Sequence, residues 1–269
     1  MQAVRREFRY GAPLSYLLTD ETAMTFARTV VLAAAGMVLA QTAGAQSEAG
    51  ATRFTLKVEN ISKGEALKLS NGGSAPFVSA PVLWVISTNG ANPIFAGGKP
   101  DAGRGLEQLA ETGNPAILAK SLGGSTNIVG VGAYASPTGA MADGPLTPGQ
   151  QYELEISARP GEKLSLAWMF GQSNDLFYSN DRPIELFTAD GKPAAGDMTA
   201  QLSLWDAGTE MNEEPGLGPN QGPRQKSPDA GITQREGIAH VRDKYSYPKT
   251  ADVLRVTVTP VGKVTAVRR

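Results

Sequence analysis

Hydrophobic and polar residues alternate with a period of two in several segments of this 269-residue chain. In RFTLKVENI, Phe54, Leu56 and Val58 fall on one face of an extended chain, and polar residues fall on the other. The same alternation occurs in QYELEISA (151–158) and in DVLRVTVTP (252–260). Because successive side chains of a strand point to opposite faces, the pattern predicts half-buried β-strands.

Further apolar segments bring the number of predicted strands to about eight. They are VLWVIST (82–88), NIVGVGAYA (127–135), LSLAWMF (164–170), PIELFTADGKP (183–193) and MTAQLSLWD (198–206). Residues 103–122 differ, because Leu106, Leu109 and Ala110 have helical spacing. We therefore expect an all-β fold, an antiparallel β-sandwich of about eight strands with one short helical insertion.

The first 45 residues have the pattern of an export signal. From Met24 the chain has a short segment with Arg28, then an apolar run of about 12 residues, then Ala43-Gly44-Ala45. That run is too short to span a bilayer, although a transmembrane anchor is the alternative interpretation. We expect residues 1–23 to be an upstream extension, 24–45 to be a cleaved signal peptide, and 46–269 to form a single domain. The protein would then be secreted or periplasmic, with no transmembrane anchor after cleavage.

Charge and composition exclude several classes of function. The 25 basic and 26 acidic residues give no basic excess, which argues against a nucleic-acid partner. Without cysteine the chain has no disulfide and no thiolate metal site. The single histidine, His240, rules out a multi-histidine zinc site, and we interpret it as a surface or loop residue.

Candidate chemistry lies in the acidic residues that follow two predicted strands. Asp175 comes shortly after LSLAWMF, Asp206 ends MTAQLSLWD, and Glu210 follows across a turn that contains Gly208. Carboxylates that converge repel one another unless a cation offsets their charge, and calcium binds six to eight oxygen ligands. Two other interpretations stay open: Asp206 caps a turn, or Asp175 and Asp206 are the acid/base pair of a glycosidase. The nearby Glu213 and Glu214 are expected to be solvated loop charges.

Several motifs resemble the spondin amino-terminal domain family. They are WDAGTE (205–210), EPG (214–216), PNQGPRQ (219–225), QSNDLFYS (172–179) and LEQLAETGNP (106–115). The resemblance extends from about residue 52 to 260. It implies a sandwich similar to the calcium-binding sandwiches of synaptotagmin type, with a calcium ion at loops on one end. Carried over residue by residue, the family motif assigns Asp175, Asp206 and Glu210 as the metal ligands.

The resemblance implies a calcium-binding adhesion or binding module and no enzyme. Animal members of the family carry disulfides and thrombospondin repeats, and this cysteine-free chain does not, so the adhesive role is carried over less directly. We expect an exported module that binds an extracellular or cell-surface ligand, a protein or a glycan. The alternatives are a polysaccharide hydrolase with paired carboxylates, and a lipid-surface binder that uses Phe177 and Tyr178.

Overall fold

The computed structural model of the protein describes residues 50–264. The predicted upstream extension, the signal peptide at 24–45 and the start of the mature domain at 46 lie outside the described residues. In the part of the chain that the structure describes, no helix is long and apolar enough to cross a membrane.

Strands account for most of the regular structure between residues 50 and 264. The strands are β1 (Thr52–Asn60), β2 (Leu67–Lys68), β3 (Ser74–Ala75), β4 (Val82–Ser87), β5 (Ile128–Tyr134), β6 (Gln151–Ala158), β7 (Lys163–Met169), β8 (Leu176–Asn180), β9 (Ile184–Glu185), β10 (Gly196–Asp197), β11 (Leu202–Asp206), β12 (Ala239–His240) and β13 (Leu254–Lys263). The helices are α1 (Leu106–Thr112), α2 (Ala116–Leu122) and α3 (Thr250–Val253), and a 3-10 turn spans Thr199–Gln201.

The strands form two main sheets. The smaller has the order β10-β13-β1-β6, and the larger has the order β12-β11-β8-β7-β4-β5, with β9 also paired to β7. A separate ribbon joins β2 to β3, and every pairing is antiparallel. The predicted all-β antiparallel sandwich with a helical insertion is therefore confirmed.

One hydrophobic core lies between the two sheets. The apolar face of β1 (Phe54, Leu56 and Val58) is fully buried in the same cluster as Trp168 of β7 and Tyr178 of β8. Full burial of one such large apolar side chain stabilises the fold by roughly 1.5–3 kcal/mol. The period-two alternation of β1 follows from this arrangement, because its polar side chains face away from the core.

A second hydrophobic cluster covers the opposite face of the larger sheet. Leu106 and Leu109 of α1 and Leu118 of α2 pack in the same cluster as Leu83 of β4 and Phe177 of β8. The larger sheet is therefore buried on both faces, which explains why six of the seven residues of β7 are buried. The helical insertion is a layer of the fold, and it holds the middle strands of the larger sheet away from water.

Candidate functional site

A buried polar turn connects β7 to β8 and forms the base of the candidate site. Its residues, 172–175, are all polar and all buried. The Ser173 hydroxyl donates to the carbonyl of Phe170 at 2.7 Å and accepts from the backbone N–H of Leu176 at 3.1 Å, which closes the turn. The Gln172 side chain bonds to the backbone of the segment that precedes β4. Buried polar groups of this kind are stable only when they are hydrogen-bonded, so the turn is fixed by its side chains.

Asp175 joins this turn to the loop that follows β11. Its Oδ2 accepts hydrogen bonds from the backbone N–H of Thr209 (3.0 Å), the Thr209 hydroxyl (3.2 Å) and the backbone N–H of Glu210 (3.0 Å). Its Oδ1 is buried and has no hydrogen-bond partner among residues 50–264. The whole residue is inaccessible to solvent. One oxygen of a buried carboxylate is thus left without compensation, which is energetically costly.

Asp206 caps a turn, as one of the alternative interpretations predicted. Its Oδ1 accepts from the backbone N–H of Gly208 at 2.7 Å, and its Oδ2 accepts from Nδ2 of Asn212 at 2.6 Å. Gly208 has a φ of 69°, and a Cβ there would lie 2.8 Å from the carbonyl oxygen of Glu236, so this position requires glycine. The Oδ1 of Asn212 is buried and unpartnered.

Glu210 lies next to these residues but directs its carboxylate elsewhere. Its Oε1 accepts from the backbone N–H of Gly231 at 2.9 Å, and its Oε2 is buried without a partner. The residue is only 4% exposed. Glu111 of α1 has the same arrangement, since Oε1 accepts from the backbone N–H of Asp229 and Oε2 is buried and unpartnered. Sequence reasoning missed Glu111, because a glutamate in a short amphipathic helix is ordinarily solvated.

Burial changes the acidity of all four carboxyl groups. Burial and, second, the negative charge of Asp206 together raise the pKa of Asp175 to about 7. Burial likewise raises the pKa of Asp206 and of Glu210. Burial, together with the smaller effect of the charge of Glu210, raises the pKa of Glu111 to about 7. No ion pair in the described part of the chain involves any of these four groups.

The structure places the three predicted ligands in two adjacent groups of carboxylates, with Asp175 and Asp206 in one group and Glu210 in the other. The charge that most affects Asp175 is that of Asp206, so these two carboxylates lie together. The charges that most affect Glu210 are those of Asp229 and Glu213. Within residues 50–264, no group of three or more acidic or histidine side chains is placed to hold a metal ion. The backbone N–H of Glu210, bonded to Asp175, connects the two groups.

Other predicted residues of this region have structural roles. Glu214 is open to solvent, as expected for a loop charge, and accepts hydrogen bonds from the backbone and side chain of Ser70. Glu213, also expected to be solvated, is half-buried and accepts hydrogen bonds from the backbone and side chain of Asn220. Both acids therefore fix the shape of the loop that links β11 to β12. That loop (207–238) contains no helix and no strand.

The aromatic residues near the site are mostly core residues. Phe177 and Tyr178, which the lipid-surface interpretation required at a loop tip, are fully buried in β8. His240 is exposed, as predicted, and its ring stacks on that of Trp205 with 3.9 Å between the ring centroids.

No protein-family model matches this chain, and no curated protein is significantly similar to it.

Proposed function

We propose that the protein is an exported, calcium-binding, non-enzymatic β-sandwich module that binds a protein or a glycan in the cell envelope or outside the cell. The observation that carries the proposal is the Oδ1 atom of Asp175, an unpartnered oxygen of a fully buried carboxylate beside the carboxylate of Asp206. A bound cation offsets both the missing hydrogen bond and the repulsion between the two acids.

The donor atoms at this position suit calcium. Calcium prefers carboxylate, amide and backbone carbonyl oxygens, and it completes its shell with water. Asp175 Oδ1 and Asn212 Oδ1 are unpartnered oxygens, and each carboxylate oxygen of Asp206 has a lone pair beyond its one hydrogen bond. Glu210, whose carboxylate belongs to the neighbouring group, is the fourth residue of the proposed donor set through its unpartnered Oε2. When bound, calcium supplies charge neutralisation here.

Stabilising this site orders a surface loop that is suited to binding a partner. Asp175 holds Thr209 and Glu210, at the start of the loop. Three apolar side chains stand exposed on the same loop: Met211 (48%), Leu217 (37%) and Ile232 (65%). Met211 and Ile232 are neighbours, because the backbone N–H of Met211 donates to the carbonyl of Ile232 at 2.7 Å. Adjacent exposed apolar residues next to polar ones are typical of protein–protein contact sites.

The burial of Asp175 supports a binding role over hydrolysis. A glycosidase needs both carboxyl groups to contact the sugar, and Asp175 has no accessible surface. A cavity of about 330 Å³ does occur at the opposite end of the larger sheet, near Asn89, Arg104 and residues 124–128. No Asp or Glu lines it, so it offers no acid/base pair.

Thermal melting of the purified protein tests the calcium proposal. We expect a higher melting temperature in about 1–5 mM calcium than in EDTA, because a ligand that binds only the folded state stabilises it. The increase should disappear in Asp175→Asn and shrink in Asp206→Asn. Asp181→Asn is the matched control and should respond like the wild type, because Asp181 is exposed just after β8 and its side chain makes no hydrogen bond within residues 50–264. An equal response of the wild type and Asp175→Asn would contradict the proposed site.

A further inference from the structure

Three of the four outer strands of the two main sheets are protected against pairing with another chain. β10 and β12, at one edge of each sheet, have two residues each. β6, at the other edge of the smaller sheet, exposes Glu153 and Glu155. Very short strands and charged side chains are the usual means by which proteins prevent edge-to-edge association.

The fourth outer strand, β5, has neither form of protection, and beyond a bulge at Val129 its residues 130–134 pair regularly with β4. Its seven residues, IVGVGAY, contain no charged residue and no proline. One side of the strand pairs with β4. Beyond that pairing, none of the backbone N–H and C=O groups of residues 129–134 makes a hydrogen bond within the described chain. An antiparallel strand directs alternate pairs of backbone groups to each side, so the free side of β5 presents a row of unused donors and acceptors.

Beyond Val129, both faces of β5 are partly covered, and the edge of the strand has no partner within residues 50–264. The indole of Trp84 lies against Gly130 and Gly132 on one face, where an added Cβ would lie 3.2 Å and 2.8 Å from the ring. Helix α2 packs against the strand on the other face, near Val131. The regular part of the strand, residues 130–134, is thereby held between two covered faces, whereas Val129 forms a bulge opposite Ile86 and Ser87 and is 48% exposed.

We propose that β5 is a dimerisation edge, at which the β5 strand of a second copy of this chain pairs in antiparallel orientation. The two larger sheets would then form one continuous sheet across a two-fold axis. A two-fold interface brings the same surface together from both copies, so charged residues there would face like charges. β5 has no charge to repel its copy, and the net charge of the whole chain is only −1.

The dimer should be weak and reversible. The short edge of residues 130–134 contributes backbone hydrogen bonds and little apolar area. Stable interfaces bury about 800 Å² on each partner, which is more than one short strand edge provides. We therefore expect dissociation constants in the range of about 1–100 μM, accessible to analytical ultracentrifugation.

Sedimentation of the purified protein across that concentration range tests the proposal. The average mass should rise from monomer towards dimer, and Val129→Lys and Val129→Glu should each raise the dissociation constant at least about tenfold, since either charge blocks the edge. Val261→Lys is the matched control, because Val261 of β13 is 49% exposed and lies outside β5, so it should dimerise like the wild type.

Amide hydrogen exchange identifies the interface directly. If β5 pairs with its copy, amides within residues 129–134 should become better protected as the protein concentration increases. Three results would overturn the proposal: a wild type that stays monomeric throughout, folded Val129 variants that dimerise like the wild type, or protection that increases elsewhere and not in β5. Unchanged melting temperatures of the Val129 variants would establish that they are folded.

Discussion

Replacing Asp175 with asparagine should stabilise the metal-free protein at about pH 8. The substitution keeps the shape of the side chain, and the amide oxygen takes over the three hydrogen bonds that Oδ2 accepts from Thr209 and Glu210. The amide nitrogen then occupies the place of the unpartnered Oδ1. A buried negative charge beside Asp206 is thereby exchanged for a neutral donor.

The size of the effect follows from the pKa of Asp175. Burial and the charge of Asp206 raise that pKa from 3.8 to about 7. Each unit corresponds to about 1.4 kcal/mol, so ionisation of Asp175 costs the folded state at most about 4 kcal/mol at high pH. Allowing for structural relaxation, we expect a gain of about 2–4 kcal/mol in the free energy of unfolding. For a domain of this size that gain raises the melting temperature by roughly 5–15 °C.

The sign of the effect depends on pH. Because the folded-state pKa is the higher one, the folded protein binds the proton more tightly than the unfolded chain does. The contribution of Asp175 to the free energy of unfolding is fully present below about pH 4, and it is lost as the pH rises towards and beyond 7. The variant should therefore match the wild type at about pH 4 and exceed it at about pH 8.

Scanning calorimetry in EDTA at these two pH values measures the difference. Asp181→Asn, which changes an exposed carboxylate, should melt like the wild type at both. A variant at Asp175 that melts below the wild type at about pH 8 would refute the reasoning, since the ionised carboxylate would then be net stabilising without a metal.

Three further substitutions test other parts of the structure. Glu111→Gln should raise the free energy of unfolding at about pH 8 and leave it unchanged at about pH 4, because burial raises the pKa of Glu111 to about 7; urea unfolding at both pH values checks this. Asn60→Ala should lower stability by about 2–4 kcal/mol, measured in urea, because two buried backbone carbonyls lose the amide that donates to them. Gly132→Ala should lower the melting temperature through an overlap with Trp84 worth about 1–3 kcal/mol, whereas Gly124→Ala, in open space, serves as its control and should have little effect.

The strands were predictable because local sequence determines them. Phe54, Leu56 and Val58 alternate with polar residues, and each of them is buried between the sheets. The partners of the strands were not predictable in this way. The uninterrupted apolar sequence of β7 indicates burial on both faces, but it does not show that α1 and α2 provide the second cover.

The candidate site was only partly predictable for a similar reason. The positions of Asp175 and Asp206 at strand ends are visible in the sequence, and the structure brings the two together. Glu111 and Glu210 are each held by a backbone N–H of the segment 229–231, which is far from either in the chain, and no local pattern encodes these contacts. The hydrogen bond from Asn212 to Asp206 likewise depends on the path of the loop after β11.

Calorimetric titration of the purified wild-type protein with calcium, at about pH 8, tests the central claim most directly. We predict saturable binding of one ion per chain with a dissociation constant no weaker than about 1 mM, the weak limit for extracellular sites. Asp175→Asn should abolish this binding, and Asp181→Asn should retain it. Absence of saturable binding by the wild type, or unchanged binding by Asp175→Asn, would contradict a calcium site at the end of β11.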